Sequence, residues 1–84
     1  MTDSIKAKVN LVISYLQCAR IARGYTEEYL AMKLCLPQGG YSRIESGESA
    51  LTMEQFFQIA DALELDAQEL LNAALWSYNW DDKL

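Results

Sequence analysis

Hydrophobic residues recur along the chain at spacings of three and four residues, which is the period of an amphipathic helix. No segment shows the apolar–polar alternation that a half-buried strand requires. The pattern predicts five helical segments, the first running from about Ser4 to Arg23. Its apolar stripe consists of Ile5, Val9, Val12, Ile13, Leu16 and Ala19. We therefore expect an all-α fold built from short helices.

Residues that favour helix ends mark where the first three segments start and stop. Gly24 suits the left-handed conformation that follows many helices, and Thr26 is a good N-cap for the second helix. We expect that helix to end near Cys35. Pro37 is expected at the start of the third helix, where its missing N–H would be unpaired anyway, and Gly47 is expected to close that helix.

Capping boxes indicate where the fourth and fifth helices begin. Thr52 is followed three residues later by Gln55, and Asp66 by Glu69. The fourth helix carries the most hydrophobic stripe of the chain, which comprises Met53, Phe56, Phe57, Ala60 and Leu63. The side chains expected in the core of the fold include Leu30, Leu34, Tyr41, Ile44, Phe56, Phe57 and Leu63.

The length of 84 residues is that of one small domain. We expect a single domain over residues 1–84, with its core at about residues 5–75 and an aromatic, acidic tail at residues 76–84. Charged residues interrupt every apolar stretch, and the start of the chain lacks the features of a signal peptide. Cys18 and Cys35 are therefore expected to be reduced, buried side chains of a cytoplasmic protein.

The composition excludes several kinds of active site. The chain contains no histidine, which removes His-based catalytic triads, His general bases and His-ligated zinc. Two cysteines are too few for a structural zinc site, and no glycine-rich phosphate-binding motif is present. We expect no enzyme activity, no catalytic residue, no cofactor and no bound metal.

The charge is distributed unevenly between the two halves of the chain. The formal net charge is −5, which by itself disfavours binding to nucleic acid. Residues 1–47, however, carry six basic and four acidic groups, whereas residues 48–84 carry one basic and eight acidic groups. This asymmetry indicates a polarised surface.

The segment TEEYLAMKLCLPQGGYSRIESG, residues 26–47, predicts two short helices joined by a tight turn at Cys35-Leu36. The small side chain of Ala31 allows two steeply crossing helices to approach closely. This segment resembles the helix-turn-helix of the lambda-repressor-like domains, the XRE/Cro family of bacterial and phage regulators. The resemblance extends over about residues 9–75. It implies a compact five-helix domain that binds DNA in the cytoplasm as a bacterial or phage-encoded transcriptional regulator.

The resemblance also implies roles for individual residues. In that family the third helix enters the DNA major groove, and its N-terminal residues contact base edges. The positions that correspond to base contacts are Gln38, Gly39, Ser42 and Arg43. The positions that correspond to phosphate or backbone contacts are Thr26, Lys33, Gly40, Ser46 and Ser49, with making room as the alternative role of Gly40. Arg20 and Glu45 correspond to a buried ion pair that ties the first helix to the third.

Several positions depart from the family pattern. Cys35 replaces the usual glycine at a turn position that favours a positive φ, and Glu27 stands where many relatives have glutamine facing a phosphate. Glu48 replaces a residue that is often basic. Gly39 and Gly40 lower the helix propensity of the third helix. The expected DNA-facing surface is therefore only weakly cationic, and dimerisation would have to compensate.

The aromatic tail has two interpretations. Trp76, Tyr78 and Trp80 fold back onto the domain's own core, or they form an apolar surface for a second copy together with Leu71 and Leu75. The resemblance favours the homodimer, because family members commonly dimerise near this end, which places two recognition helices about one DNA turn apart on a palindromic site.

Two functions stand as hypotheses. The first is a sequence-specific DNA-binding transcriptional regulator that binds a palindromic operator in double-stranded DNA as a dimer. An antitoxin that represses its own operon is a variant of this hypothesis. The second is a protein-interaction module, or an antitoxin-like partner protein, that keeps the fold but binds DNA weakly or not at all. Its protein partner would contact the acidic C-terminal half. Neither hypothesis involves a membrane.

Overall fold

The computed structural model describes the backbone of residues 2–83 and the side chains of residues 3–76. This part of the chain forms five α-helices and no strand, so the predicted all-α fold is confirmed. The helices are α1 (Thr2–Ala22), α2 (Glu27–Lys33), α3 (Gly40–Ser46), α4 (Met53–Ala62) and α5 (Ala67–Lys83). None of them is long and apolar enough to cross a bilayer, as far as the described residues show.

The core lies where all five helices meet. The long helices α1 and α5 pack along each other, α2 packs against α3 and α4, and α3 also contacts α1. The largest side chains that are completely enclosed there are Leu16, Leu30, Tyr41, Ile59 and Leu63. Because each of the two short helices contributes buried residues to this one core, packing rather than length holds α2 and α3 in place.

The first three helices end at the residues that the sequence indicates. Gly24 and Gly47 adopt the left-handed conformation, with φ of +73° and +86°; Gly24 lies two residues after the end of α1 and Gly47 directly after α3. At the start of α2, the backbone N–H of Tyr29 donates to Oγ1 of Thr26 at 3.0 Å. These local interactions fix the length of the loops on either side of the two short helices.

The predicted N-caps of α4 and α5 are also present. Oγ1 of Thr52 accepts from the backbone N–H of Gln55 at 3.0 Å, and Oε1 of Gln55 accepts from the backbone N–H of Thr52 at 3.1 Å. Oδ1 of Asp66 accepts from the backbone N–H groups of Gln68 at 2.9 Å and Glu69 at 3.1 Å. Both helices therefore start where a side chain satisfies backbone donors that would otherwise be unpaired.

The third helix begins later than the sequence predicts. Pro37 was expected at its start, but α3 begins at Gly40. Gly39 takes the N-cap position with a φ of +79°, which is a left-handed conformation. A right-handed α-helix cannot include such a residue, so the helix begins after it. The backbone N–H of Gly40 donates to the carbonyl of Pro37 at 2.8 Å, so residues 37–39 form a turn that leads into the helix.

Two hydrophobic stripes are also rotated relative to the prediction. Met53 and Phe57 were expected to face inward, but they are 64% and 51% exposed. Ile59, by contrast, is completely buried. Phe56 occupies the core, and its neighbour Phe57 points about 100° away around the helix, over the edge of the core. The start of α1 differs from the prediction in the same way, because Ile5 and Val9, which were expected in the apolar stripe, are exposed.

The expectation that both cysteines are buried is wrong. Cys18 and Cys35 are both free and exposed. Cys18 comes two residues after the buried Leu16, and a separation of two residues places a side chain on nearly the opposite side of a helix. Cys35 lies in the turn between α2 and α3, outside the packed interior.

The rotation of α4 predicts different effects for two adjacent phenylalanines. We expect Phe56→Ala to lower the free energy of unfolding by about 3–5 kcal/mol, because it removes a buried ring from the core. Phe57→Ala serves as the matched control and should lower it by less than about 1 kcal/mol, because that ring is half in solvent. Urea unfolding followed by circular dichroism measures both values. Equal losses would show that the helix faces the core differently.

Candidate nucleic-acid interface

One guanidinium group connects α1, the loop that follows it, and α3. Nε and Nη2 of Arg20 donate to Oε2 and Oε1 of Glu45 at 2.8 and 3.2 Å. Nη1 of Arg20 donates to the backbone carbonyl of Tyr25 at 2.8 Å. The two side chains are 11% and 4% exposed, so the pair is partly buried and water reaches little of it. This two-point bond fixes the direction of α3 as well as its position.

The electrostatics of this region keep its groups in fixed protonation states. The hydrogen bond to Glu45 raises the pKa of Arg20, and burial opposes it only in part. The hydroxyl of Tyr41 is buried beside Glu45 without a hydrogen bond of standard geometry among the described residues. Burial first, and then Glu45, raise the pKa of Tyr41. Arg20 therefore stays charged and Tyr41 stays neutral around neutral pH.

The turn between α2 and α3 is tight. The backbone N–H of Leu36 donates to the carbonyl of Ala31 at 2.8 Å, which ends α2. Cys35 has a φ of +57°, as its place in the turn predicts, at a cost of about 1–2 kcal/mol for a residue with a Cβ. A Cβ atom on Gly40 would lie only 3.0 Å from Cβ of Leu36. Gly40 thus makes room for this turn, which is the second of the roles considered for it.

The beginnings of α2 and α3 face each other across a cleft of about 200 Å³. Three of the four predicted base contacts come together in it: Gln38 and Gly39 from the turn before α3, and Ser42 from the first turn of the helix. Gln38 and Gly39 are exposed, and Ser42 is half-buried. The complete lining consists of Glu27, Glu28, Ala31, Gln38, Gly39, Tyr41 and Ser42.

The fourth predicted base contact is Arg43, whose side chain extends towards the start of α3. The residue is exposed and sits one helical turn after Gly39. Its Nη2 atom lies 4.0 Å from the place that a Cβ on Gly39 would occupy. The structure therefore gathers all four predicted base-contacting residues at the start of α3.

The predicted phosphate contacts on α2 lie at opposite ends of that helix. Thr26 is exposed at its start, where it also serves as the N-cap. Lys33 is exposed in the last turn, about 10 Å further along the helix. Its Nζ atom lies 5.7 Å from the ring centroid of Tyr29, and that ring packs against Tyr25 with 4.5 Å between centroids. The ammonium group of Lys33 is thus held over an aromatic face.

The two predicted contacts at the C-terminal end of α3, Ser46 and Ser49, stabilise the turn after the helix. Oγ of Ser46 donates to the carbonyl of Arg43 at 3.1 Å and accepts from the backbone N–H of Glu48 at 3.4 Å. The backbone N–H of Ser49 donates to the same carbonyl at 3.0 Å. Ser46 and Ser49 therefore bring the chain back along the end of α3.

Two carboxylates of α2 shape the electrostatics of the cleft. Glu27 is half-buried, and its charge acts on Arg20, raising the pKa of that group as a minor contribution. Its neighbour Glu28 is exposed and lines the cleft, although it is not among the site residues predicted from sequence. Its place in the first turn of α2, two residues after the N-cap Thr26, is the sequence feature that indicates a position near the start of that helix. Nowhere in the described part of the chain do three acidic or cysteine side chains come together as metal ligands.

The candidate dimer residues on α5 differ in their exposure. Leu71 and Leu75 are half-buried and pack against the core of the same chain, whereas Trp76 is 63% exposed. The side chains of Tyr78 and Trp80, which the sequence analysis also named, lie outside the described residues.

A family model described as HTH_3, helix-turn-helix, matches residues 18–70. The match runs from the last turns of α1 to the first turn of α5 and covers more than half of the chain. It includes the Arg20–Glu45 ion pair and every candidate DNA-contacting residue. Comparison with curated proteins and with solved structures gives no match.

The buried ion pair predicts a non-additive effect on stability. We expect Glu45→Ala to lower the free energy of unfolding by about 3–5 kcal/mol, because it leaves the Arg20 guanidinium enclosed without its counter-charge. The double variant Arg20→Met, Glu45→Leu should be more stable than the single variant, because it buries no unpaired charge. Urea unfolding of all three proteins provides the test. A double variant that is less stable than Glu45→Ala would contradict this account.

Proposed function

Because the chain belongs to the lambda-repressor-like helix-turn-helix family, whose members are DNA-binding regulators, we propose that it is a sequence-specific transcriptional regulator. The observation that carries the proposal is the division of residues around α3. Tyr41 and Ile44 face the core, while Gln38, Gly39 and Arg43 are exposed on the other side. Such a helix can be inserted into the major groove without loss of core packing.

In this proposal the start of α3 contacts base edges. The amide of Gln38 can pair with both N6 and N7 of adenine, and the guanidinium of Arg43 can donate to O6 and N7 of guanine. Ser42, at the border of the cleft, contributes a hydroxyl that serves as donor or acceptor. Gly39 allows the DNA to come close to the backbone. Fold alone does not establish these roles, and the proposal therefore rests on the side chains at this end of the helix.

The phosphate contacts in this proposal come from residues on both sides of α3. The hydroxyl of Thr26 accepts one hydrogen bond as N-cap, which leaves its own O–H as a donor for a phosphate oxygen. Lys33 supplies a point charge at the far end of α2, and Ser46, Ser49 and the backbone at Gly40 complete the set. These contacts fix the register of the protein on the duplex and carry no sequence information themselves.

We further propose that the regulator is a homodimer on a palindromic operator. Trp76 exposes a large aromatic surface on α5, next to the half-buried Leu71 and Leu75. A two-fold interface at this end, with Tyr78 and Trp80 contributing, places two recognition helices about 34 Å apart. Most of the acidic groups of the C-terminal half, Glu48 excepted, then face away from the phosphates. A bacterial or phage-encoded regulator of this kind works in the cytoplasm, where the DNA is.

The charges around the cleft predict modest affinity for a single copy. Glu27 and Glu28 line the cleft together with Gln38, Gly39 and Ser42, and Glu48 follows the helix. Negative groups this near to a phosphate backbone reduce the non-specific part of the binding free energy. Specific contacts and dimerisation then carry a larger share of the affinity than in a basic domain.

A second candidate function is a protein-interaction module of the antitoxin type. The observations that favour it are the two carboxylates in the cleft and the exposed apolar side chains of Met53, Phe57 and Trp76. A partner protein would cover such side chains together with the acidic C-terminal half. This candidate predicts a folded protein that shows no preference for any DNA sequence.

Selection from a randomised duplex library at low salt tests the proposed function. We expect the wild-type protein to enrich a palindromic motif with half-sites about one helical turn apart. Arg43→Ala should lose the preference at one position of each half-site, which corresponds to about 1–3 kcal/mol per base contact. Arg23→Ala is the matched control, because Arg23 is an exposed arginine that the proposal does not place at a base.

The selection separates the two candidate functions. A folded wild-type protein that enriches no motif would contradict the regulator and direct the search to protein partners. A motif that is not palindromic would contradict the dimer but leave the DNA-binding function standing.

A further inference from the structure

A second groove, of about 310 Å³, lies between the N-terminal half of α1 and the loop that follows α3. Lys6, Asn10 and Ile13 of α1 contribute to one of its walls. Their spacing of four and three residues places them in a row along one face of the helix. Ile13 is buried, whereas Lys6 and Asn10 are exposed, so the row runs from the packed interior out to solvent.

The opposite wall contains one of the proposed phosphate contacts, Ser49, together with its neighbour Gly47. The backbone N–H of Ser49 donates to the carbonyl of Arg43 at 3.0 Å, which fixes this wall relative to α3. The side chains of Lys6, Asn10 and Ser49 form no hydrogen bond or ion pair with any other residue whose side chain the structure describes. All three can therefore donate to a ligand that enters the groove.

The charges of this groove are the reverse of those in the cleft at the start of α3. Its lining contains one cation, Lys6, and no carboxylate. Glu48 is exposed and does not contribute to the lining, although residues on either side of it do. The cleft contains the carboxylates of Glu27 and Glu28 and no cation. A phosphate is therefore attracted by the groove and repelled by the cleft.

We propose that Lys6 binds a phosphate of the DNA backbone in this groove, with the side chains of Asn10 and Ser49 as additional donors. The inference rests on the proposed function, because the phosphate belongs to the DNA whose bases α3 contacts. Lys6 and Asn10 precede the first residue of the family match, so the N-terminal half of α1 extends the DNA-binding surface beyond the helix-turn-helix.

A lysine suits this position in two respects. Its ammonium group is a point charge that binds a phosphate without the fixed geometry that a guanidinium requires. Its aliphatic stem can pack along the apolar part of the groove, to which Ile5 and Val9 contribute, and this leaves the charge at the rim.

Lys6→Gln tests the inference, with Lys8→Gln as the matched control. Both variants remove one positive charge from an exposed lysine of α1. Lys8 does not line the groove, and it lies about 200° around the helix from Lys6. Fluorescence anisotropy over a range of salt concentrations measures the affinity of each protein for the duplex that the wild-type protein selects and for a scrambled duplex.

We expect Lys6→Gln to lose about 1.5- to 5-fold of the affinity per bound copy, which is typical of an exposed ion pair. The loss should be the same for both duplexes, because a phosphate contact carries no sequence information. The slope of log affinity against log salt concentration should fall by about 0.9 per bound copy. Lys8→Gln should keep the wild-type affinity and slope.

A neutral methylphosphonate in place of one phosphate at a time identifies the group that Lys6 binds. At one position per half-site, this replacement should weaken binding by the wild-type protein and by Lys8→Gln but leave Lys6→Gln unaffected. Such non-additivity is the sign of a direct contact. Losses that add at every position would show that Lys6 acts only through the net charge, and they would overturn the inference.

Asn10→Asp tests the groove while Lys6 remains in place. The new carboxylate has almost the same size as the amide but repels a phosphate and attracts the ammonium of Lys6, four residues away. We expect this variant to bind both duplexes more weakly than the wild-type protein. Asn72→Asp makes the same change at an exposed position of α5 and should bind as the wild-type protein does.

The outcomes separate the inference from the proposed function. A folded wild-type protein that binds no duplex contradicts the proposed function. A wild-type protein that binds, while Lys6→Gln keeps the same affinity and salt dependence, contradicts only the inference. Equal losses in Lys6→Gln and Lys8→Gln would overturn it as well. Circular dichroism checks that each variant is folded, and if Lys6→Gln is not, wild-type affinity of Asn10→Asp would contradict the inference.

Discussion

The placement of α3 depends on one buried arginine. A helix of seven residues is too short to be stable alone, and two inward side chains, Tyr41 and Ile44, would still allow it to slide or rotate over the core. The bidentate bond from Arg20 to Glu45 removes that freedom, because both donors must meet both oxygens at once. The third donor of Arg20, bound to the carbonyl of Tyr25, ties the start of α2 to the same point. The angle between the two helices of the motif is thus set from inside the molecule.

The parts of the fold that could be predicted from sequence are those that depend on neighbouring residues. N-caps such as Thr26 and Thr52 accept hydrogen bonds from backbone N–H groups three residues away. A segment of four residues therefore contains both partners of the interaction. The start of α3 could not be placed in this way, because Pro37 is compatible with a first helical turn and with the turn before it. Gly39 decides between the two by adopting a positive φ, and glycine, which has no side chain, adopts positive and negative φ about equally readily.

Facing directions were harder to predict than helix ends, because they depend on distant partners. On α4 the spacing fits a stripe through Phe57 as well as one through Ile59, and only the positions of α2 and α5 select the second. The same limit applies to the candidate site. The family resemblance indicated the residues at the start of α3, whereas the inclusion of Glu28 in the cleft follows from how α2 and α3 pack together.

The resulting surface combines few cations with several carboxylates, so the proposed DNA recognition rests on a small number of side chains. The most direct test is an amide chemical-shift titration of the isotope-labelled protein with a short DNA duplex at low salt. The account predicts that the largest shifts occur in residues 26–28, 38–43 and 46–49, which border the cleft and the exposed side of α3. Shifts confined to α4 and α5, or no shifts from a folded protein, would contradict it.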